Sequence, residues 1–450
     1  MIVRASQAWL GDRFVDDVLI ETDAAGRVSR IDTGLDTAAG GLLDQQSSDG
    51  IAGRVASASE RIETPSDEVI LGLVVPGFGN AHSHAFHRVL RGRTHDSGGD
   101  FWQWRKSMYA AADMLDPDRY RDLATSVFSE MVACGYTAVG EFHYVHHQPG
   151  GTPYDPAHGM ELALADAAEA AGIRLVLLDT CYLTGGMGKP PEPSQRRFSD
   201  GSASAWLARW ARLREALDGR PLVTLGAAIH SVRAMPRDEM AEIARELPAD
   251  VPLHIHLSEQ PQENADCLAA YGYTPTALLA DVGLLSPRLN AVHATHLTDD
   301  DIRMLGEASV GVVMCPTTEA DLGDGIGPAR RLADAGAHLA IGSDQNAVID
   351  PLLELRGLEY GERLASRQRG RFSPAQLWQV GGAGGYRALG LAPGSGGIAV
   401  GEYCDLVELN PNSLRTSGAE STQLPMVATA SDVTRVVIGG RVVSTRASVD

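Results

Sequence analysis

A short apolar run, a loop and a helical pattern recur in that order through the middle of this 450-residue chain. Runs such as IRLVLL and VVMC are continuously apolar, which is typical of parallel strands that are buried on both faces. Eight strand-then-helix units predict an α/β fold, a closed (β/α)8 TIM-like barrel. The candidate strands span residues 73–79, 136–142, 173–180, 222–228, 251–257, 289–294, 310–315 and 338–343.

The two ends of the chain have a different pattern from the middle. Residues 1–35 alternate apolar and polar positions around glycine turns, and segments near the other end, such as TRVVIGGRVVS, are similar. We therefore predict a small β-sandwich-like domain composed of residues 1–72 together with residues 395–450. The barrel is predicted to occupy residues 73–394.

The charge of the chain excludes several classes of partner. The formal net charge is −20 and the pI is about 5.1, whereas nucleic acid and anionic membrane surfaces require a basic face. No apolar run approaches the ~20 residues that span a bilayer, and the first residues lack the apolar core of a signal peptide. We therefore expect a cytoplasmic protein with a small-molecule substrate, since local arginines can outweigh distant charges within about 8–10 Å.

Polar residues collect where the predicted strands end. His82 and His84 follow the first strand, and an H-x-H pair on extended chain presents two imidazoles to one side. Strand five ends in HIHLSEQ, and strand eight ends at Asp344. A doubly wound sheet is the alternative fold, but in a barrel the carboxyl ends of all strands meet at one catalytic rim. Any one histidine alone would more simply be a buried structural residue, whereas several matching strand ends indicate a shared site.

These strand-end residues fit one metal ion. Zinc takes three or four nitrogen or oxygen ligands and leaves one position open for water. His254 and His256 are two positions apart and therefore share one face of the strand, so alternation does not show which of them binds the metal. The H-x-x-E spacing favours His256 as the ligand and lets Glu259 reach the bound water. We expect one Zn2+ per subunit, with Fe2+ or Mn2+ as alternatives. The candidate ligands are His82, His84, His256 and Asp344.

The chain resembles the amidohydrolase superfamily, and specifically its mononuclear-zinc deaminase branch, in the motifs PGFGNAHSHAF, HLSEQ, VHATH and GSDQN. Binuclear members bridge their metals with a carboxylated lysine or a glutamate on strand four. The segment TLGAAIHSVR contains neither, and the only lysines, Lys106 and Lys189, lie elsewhere. Five more motifs resemble the formimidoylglutamate deiminases of histidine degradation: FWQWRKSMY, EFHYVHH, HSVR, CPTTEADLGDG and ELRGLEYGERL.

The resemblance implies hydrolysis of N-formimino-L-glutamate to N-formyl-L-glutamate and ammonia. Zinc lowers the pKa of its bound water to about 7, and Glu259 would take the proton and return it to the departing nitrogen. His293 would orient the attacking oxygen or stabilise the tetrahedral centre. Asp344 would share the proton traffic, and the family position of His230 faces the reacting group.

The same resemblance implies a site for two carboxylates. Arg233 matches a carboxylate-binding arginine and Tyr144 matches a substrate-binding tyrosine of the family. Arg105 matches an arginine that can reach in from a neighbouring subunit, and a homodimer is expected. His87 replaces the glutamine of many members; a histidine there can hydrogen-bond a carboxylate and could carry charge near pH 6.5.

Other interpretations remain open at this point. A related mononuclear-zinc deaminase would act on a nucleobase such as guanine, although two arginines in the site would then be surplus. A non-catalytic barrel paralogue is the other alternative, against which the intact ligand set and Glu259 count. His143, His146 and His147 form H-x-x-H-H after strand two, and we expect supporting and loop roles for them because no free carboxylate set accompanies them.

Overall fold

The computed structural model describes residues 1–34, 68–93, 101–391 and 396–446. Parts of the predicted terminal domain, residues 35–67, 395 and 447–450, lie outside these ranges. In chain order the strands are β1 (Ile2–Leu10), β2 (Arg13–Thr22), β3 (Val28–Thr33), β4 (Glu68–Pro76), β5 (Phe78–Ser83), β6 (Tyr136–His143), β7 (Arg174–Cys181), β8 (Val223–Ser231), β9 (Leu253–Leu257), β10 (Leu289–His293), β11 (Gly311–Met314), β12 (His338–Ile341), β13 (Leu406–Leu409), β14 (Val433–Ile438) and β15 (Arg441–Thr445).

Helices separate the central strands. Within the described ranges, every helix is too short or too polar to cross a bilayer. They are α1 (Phe101–Asp113), α2 (Pro117–Ala133), α3 (Gly159–Ala171), α4 (Ala203–Ala216), α5 (Arg237–Glu246), α6 (Pro261–Tyr271), α7 (Pro275–Asp281), α8 (Asp299–Glu307), α9 (Pro316–Leu322), α10 (Ala329–Ala335), α11 (Pro351–Ser366), α12 (Pro374–Gln379) and α13 (Gly385–Ala388).

Strands β5 to β12 close into a parallel barrel in the order β10-β11-β12-β5-β6-β7-β8-β9. Closure occurs where β12 pairs with β5 through Ile341 and Asn80. The apolar strand residues are buried, as in Leu177 and Val292, because the interior covers one face of each strand and the helices cover the other. The predicted (β/α)8 barrel is thus confirmed.

One predicted strand crosses from one sheet to another, whereas the boundaries of the other seven lie within three residues of the strands in the structure. The predicted strand at residues 73–79 straddles two strands, because residues 73–76 end β4 of another sheet and the barrel begins at Phe78 in β5. Gly77 lies between them, where a Cβ atom would approach the Thr137 hydroxyl oxygen to 2.1 Å. The apolar run continues across both strands, so hydrophobicity alone does not mark where the chain changes sheet.

The chain ends form one seven-stranded sheet rather than the two facing sheets of a sandwich. Its order is β15-β14-β13-β4-β1-β2-β3. Strand β4 pairs parallel to β1 on one edge and antiparallel to β13 on the other, which joins both chain ends side by side. A small core that includes Val3, Val74 and Leu406 packs on this sheet.

A buried ion pair joins the terminal sheet to the barrel. Arg174, at the start of β7, donates from Nε and Nη2 to the two carboxylate oxygens of Asp405 at 2.7 and 3.1 Å. The Tyr386 hydroxyl also donates to Asp405, at 2.5 Å, and the Arg174 guanidinium lies 3.6 Å from the centre of the Tyr403 ring. These contacts lie at the amino-terminal end of the barrel strands, away from the rim where the predicted site residues lie.

Candidate functional site

The carboxyl ends of β5, β9 and β12 bring three histidines and an aspartate together. The Nε2 atom of His256 lies 3.3 Å from Nε2 of His82 and 3.3 Å from Nε2 of His84. Asp344 Oδ1 lies 3.3 Å from His82 Nε2 and 3.6 Å from His84 Nε2. All four side chains are buried. The residues that were predicted as metal ligands are therefore adjacent in the fold.

This donor set fits a tetrahedral metal ion. His84 donates from Nδ1 to the Phe142 carbonyl at 2.8 Å, and His256 donates from Nδ1 to the His230 carbonyl at 2.9 Å, which leaves both Nε2 lone pairs directed inward. An ion with bonds of about 2.0–2.1 Å would have ligand–ligand edges of roughly 3.4 Å, close to the separations found here. Without a cation, these buried lone pairs would repel one another, so zinc or a similar divalent metal fits the cluster.

Several rim residues have left-handed backbone. The φ angles are 50° at Ser258, 69° at His293 and 42° at Asp344, in the region that favours glycine. Backbone hydrogen bonds fix the last of these: the Asp344 N–H donates to the His82 carbonyl at 3.0 Å, and the Asp344 carbonyl accepts from the His84 N–H at 2.9 Å. Each such residue costs about 1–2 kcal/mol of backbone strain, and the surrounding structure sustains it.

Glu259 and His293 form an acid–base pair beside the cluster. His293 Nε2 lies 3.9 Å from Glu259 Oε1 and 3.7 Å from Asp344 Oδ2, and its Nδ1 lies 3.4 Å from Glu319 Oε1. Burial lowers the pKa of His293, but Glu259, Glu319 and Asp344 outweigh it and raise the pKa to about 10. Burial raises the pKa of Glu259, and the nearby charges of His293 and Arg233 oppose that shift. A proton can therefore be held close to the cluster.

Two arginines line the pocket that lies against the cluster. Arg233 Nε donates to Glu263 at 2.8 Å, and its Nη2 lies 3.9 Å from Glu259. Arg105 donates to the Tyr109 hydroxyl at 2.6 Å and to the Tyr182 hydroxyl at 3.4 Å. Because Arg105 lies in the wall of its own chain's pocket, a second subunit is not needed to bring it there.

His87 and Tyr144 form another part of the pocket wall. The Tyr144 hydroxyl lies 3.3 Å from His87 Nε2, while His87 Nδ1 is buried without a hydrogen-bond partner in the described part of the chain. Burial lowers the pKa of His87 to about 3. The charged form near pH 6.5 that the sequence allowed is therefore wrong, and His87 is a neutral hydrogen-bonding group.

The two remaining strand-end histidines have different environments. His230 lines the pocket, and burial together with Arg233 and Arg105 lowers its pKa well below the usual range, so its ring is neutral. His254 lies on the same strand as His256, but its Nε2 donates to the Ala388 carbonyl at 2.9 Å. It is a buried structural residue, as the H-x-x-E argument predicted.

The histidines of the H-x-x-H-H motif contact buried carboxylates, but these carboxylates are engaged by Arg209 rather than free. His146 Nδ1 lies 2.8 Å from Glu161 of α3, and His147 Nε2 lies 3.1 Å from Asp200. Arg209 of α4 bonds to both of these carboxylates and to Asp179 of β7. Since the carboxylates come from later elements, the motif itself gave no sign of them.

Two carboxylates that orient site side chains were not predicted from the sequence. Glu319 contacts His293, and Glu263 binds Arg233 and accepts from Ser258 N–H at 2.9 Å. Both lie in the first turn of a helix, α9 and α6 respectively. Acids are common there because they favour the positive end of the helix dipole, so their position gave no functional signal.

Comparisons with known proteins agree with this geometry. The family model described as "Amidohydrolase family" matches residues 73–443. A formimidoylglutamate deiminase from Pseudomonas aeruginosa is 39% identical over 365 residues, covering 78% of this chain and 80% of that protein. An 8-oxoguanine deaminase from the same organism is 30% identical over 380 residues, covering 82% and 81%. The crystal structure of an amidohydrolase from Brucella melitensis has a TM-score of 0.85 at 32% identity, covering 99% and 96%.

The match spans the whole barrel and includes every strand end that carries a site residue. The two relatives reported above by activity are a deiminase and a deaminase, which hydrolyse a carbon–nitrogen bond and release ammonia. The chain belongs to the amidohydrolase family, and it is a deaminase-type hydrolase that acts on carbon–nitrogen bonds.

Proposed function

We propose that the chain hydrolyses N-formimino-L-glutamate to N-formyl-L-glutamate and ammonia, a reaction of histidine degradation. The observation that carries this proposal is the presence of two arginines, Arg105 and Arg233, in the pocket beside the histidine cluster. A substrate with two carboxylates needs such partners, whereas a neutral nucleobase such as guanine does not. The likeness to the Pseudomonas aeruginosa deiminase supports the same substrate.

One divalent metal ion, for which zinc is the best fit, would be held by four residues in this proposal. When bound, it supplies a water molecule acidified to a pKa near 7. The inward Nε2 atoms and the outward Nδ1 hydrogen bonds of two of the histidines support this assignment. The proposed ligands are His82, His84, His256 and Asp344.

Glu259 would transfer the proton in this reaction. As the water oxygen bonds to the amidine carbon, Glu259 accepts a proton from it and then donates a proton to the nitrogen that leaves as ammonia. Protonated His293 hydrogen-bonds to the attacking oxygen and stabilises the tetrahedral centre, while Asp344 takes part in the proton transfer. Neutral His230 faces the reacting group.

The remaining pocket residues would bind the substrate carboxylates. Arg233 offers one guanidinium, with Tyr144 and His87 as neutral hydrogen-bond partners, and Arg105 offers a second guanidinium across the pocket. Guanidinium–carboxylate contacts are strong and directional, so they would align the amidine carbon with Glu259. We further propose that the enzyme is a cytoplasmic homodimer with no nucleic-acid or membrane partner, in agreement with the expectation from its sequence and charge.

Ammonia release from N-formimino-L-glutamate by the zinc-loaded protein tests the proposal. We expect rapid release, reduced about 10²–10⁴-fold in Glu259→Gln, since this variant keeps the shape of the side chain but not its basicity. Removal of the metal with a chelator should abolish release, and zinc addition should restore it. Guanine serves as the competing substrate. A protein that binds zinc stoichiometrically but releases no ammonia from N-formimino-L-glutamate would contradict the proposed substrate.

A further inference from the structure

The only two lysines of the chain line one cavity. Lys106 lies on α1 and Lys189 lies in the loop after β7, more than 80 positions later, yet both contribute to the wall of a cavity of about 570 Å3. All other Lys and Arg residues of the sequence are arginines. Two elements that are distant in sequence therefore place the lysines at the same location.

This cavity, which we name the vestibule, continues the substrate pocket outward. Both lysines are exposed at the surface, whereas the shared wall reaches in to His230, whose backbone carbonyl is bonded to His256. A ligand that enters through the vestibule therefore passes the lysines before it reaches the cluster. The residues that line both cavities are Arg105, Tyr109, Tyr182, His230 and Arg233.

The vestibule wall carries more positive than negative groups. Its acids are Glu192 and Asp266, and its bases are the two lysines and the two shared arginines. Arg233 is largely neutralised by Glu263 at 2.8 Å. Among the described residues, neither lysine lies within ion-pair distance of a carboxylate, so both ammonium charges are available to a ligand.

The molecule as a whole has the opposite sign. With a formal net charge of −20, it repels an approaching dianion, and this repulsion is screened beyond a Debye length of about 8 Å. At short range, where the screening is weakest, the two ammonium groups and Arg105 together outnumber Glu192 and Asp266 on the vestibule wall. Lysine suits this position because its hydrated charge on a flexible stem attracts an anion without fixing its orientation.

We propose that Lys106 and Lys189 capture the carboxylate-bearing substrate at the vestibule and determine specificity for dianions. This proposal deepens the function proposed above and rests on it for the identity of the substrate. The lysines act on substrate capture, and therefore on kcat/KM, while the chemical step next to Glu259 is unchanged. The ligand class is a short aliphatic dicarboxylate, whose second carboxylate stays near the vestibule while the other is drawn inward.

The first test measures binding without turnover. Glutarate is titrated calorimetrically into the metal-loaded protein at low ionic strength, for the native chain and for the double variant Lys106→Met/Lys189→Met. We expect about 3- to 10-fold weaker binding in the double variant and recovery in Lys106→Arg/Lys189→Arg. The difference should close at about 0.5 M salt, where the Debye length falls to roughly 4 Å. Arg441→Met, which removes one exposed positive charge on β15, is the matched control and should bind as the native chain does.

The second test measures turnover of N-formimino-L-glutamate. In the double methionine variant we expect a similar fall in kcat/KM at low salt with kcat within about twofold. If the double methionine variant binds glutarate with the affinity and the salt dependence of the native chain, the proposal is overturned. If N-formimino-L-glutamate is not turned over but glutarate binding still depends on the lysines, the proposed substrate fails and the vestibule proposal survives.

Discussion

His87 has one ring nitrogen bonded to Tyr144 and the other without a partner among the described residues. A buried polar atom that lacks a hydrogen bond costs about 1–3 kcal/mol, and a bound ligand that supplies the missing partner recovers that free energy. Because burial keeps the ring neutral, His87 offers the same kind of N–H donor as the glutamine that it replaces in many members of the family.

Substitution of His87 separates this role from simple packing. We expect His87→Gln to keep KM for N-formimino-L-glutamate within about threefold, because the amide restores a donor at the same place. His87→Leu should raise KM about 10- to 100-fold with a smaller change in kcat, since one hydrogen bond to a charged group contributes about 1.5–3 kcal/mol. Steady-state kinetics measure both values. If the KM of His87→Leu equals that of the native chain, His87 does not contact the substrate.

At this scale the sequence predicted the residues that follow strands and missed those that reach them from elsewhere. His82, His256 and Asp344 could be identified because each ends a strand of the barrel, and all such ends meet at one rim. Glu263 and Glu319 could not, because a first-turn acid on a helix looks the same whether it caps the helix or orients an arginine or a histidine. The neutral state of His87 depends on burial, which a motif does not reveal.

At the scale of elements, the long loop after β7 is held down by charged side chains. Arg197 is fully buried and donates from Nε and Nη2 to the carbonyls of His147 and Leu115, both at 3.1 Å. Asp200, at the end of the same loop, accepts from Arg209 at 2.9 Å and contacts His147. Arg197 is therefore a structural residue of the loop, and Asp200 joins the loop to α4.

The Asp200 carboxylate should stabilise the fold in a pH-dependent way. Burial alone would raise the pKa of Asp200, but His147 and Arg209 outweigh it and lower the pKa below its usual range. A depressed folded-state pKa adds stability above the unfolded pKa of about 3.9, and that contribution is lost as the pH falls further. Asp200→Asn should therefore lower the free energy of unfolding by about 2–3 kcal/mol at pH 7, with a gap that narrows below about pH 4.

Urea unfolding followed by circular dichroism across pH 7 to pH 3 measures this gap. Asp218→Asn, at an exposed position after α4, is the matched control and should match the native chain at each pH. A gap for Asp200→Asn that stays constant down to pH 3 would mean that shape rather than charge explains the loss of stability.

At the scale of the whole molecule, the Arg174–Asp405 pair joins the barrel to the terminal sheet. Asp405 accepts hydrogen bonds from Arg174, Tyr386 and the backbone of Gly439, so one carboxylate connects the barrel, α13 and the turn after β14. The contact joins residues that are 231 positions apart in the chain.

Removal of Arg174 should loosen the terminal sheet more than the barrel. Arg174→Met leaves a buried carboxylate without its cation, which costs about 3–5 kcal/mol, and Arg174→Met/Asp405→Asn should recover part of that loss. Relative to the native chain, we expect amide hydrogen exchange in Arg174→Met to accelerate more in β13 and β14 than in β9 and β10. Mass spectrometry measures this exchange. Equal acceleration in both sheets would contradict the view that this pair mainly anchors the terminal sheet.

The overall architecture was predictable to the level of sheets but not of their junctions. Eight strand-then-helix units predicted the barrel, and alternating patterns at the ends predicted a second β unit. The change of sheet at Gly77 and the single sheet made by β4 were not predictable, because both depend on pairing between distant segments rather than on local pattern.

The left-handed backbone at Ser258, His293 and Asp344 has a consequence for directed evolution. Selection for heat resistance alone would favour glycine at Ser258, because glycine relieves about 1–2 kcal/mol of strain there and removes a buried hydroxyl that has no hydrogen-bond partner among the described residues. At His293 and Asp344, that same replacement would delete a side chain of the site. It would also leave buried charges unpaired, so thermostable variants should accumulate glycine at Ser258 while His293 and Asp344 stay unchanged even without an activity screen.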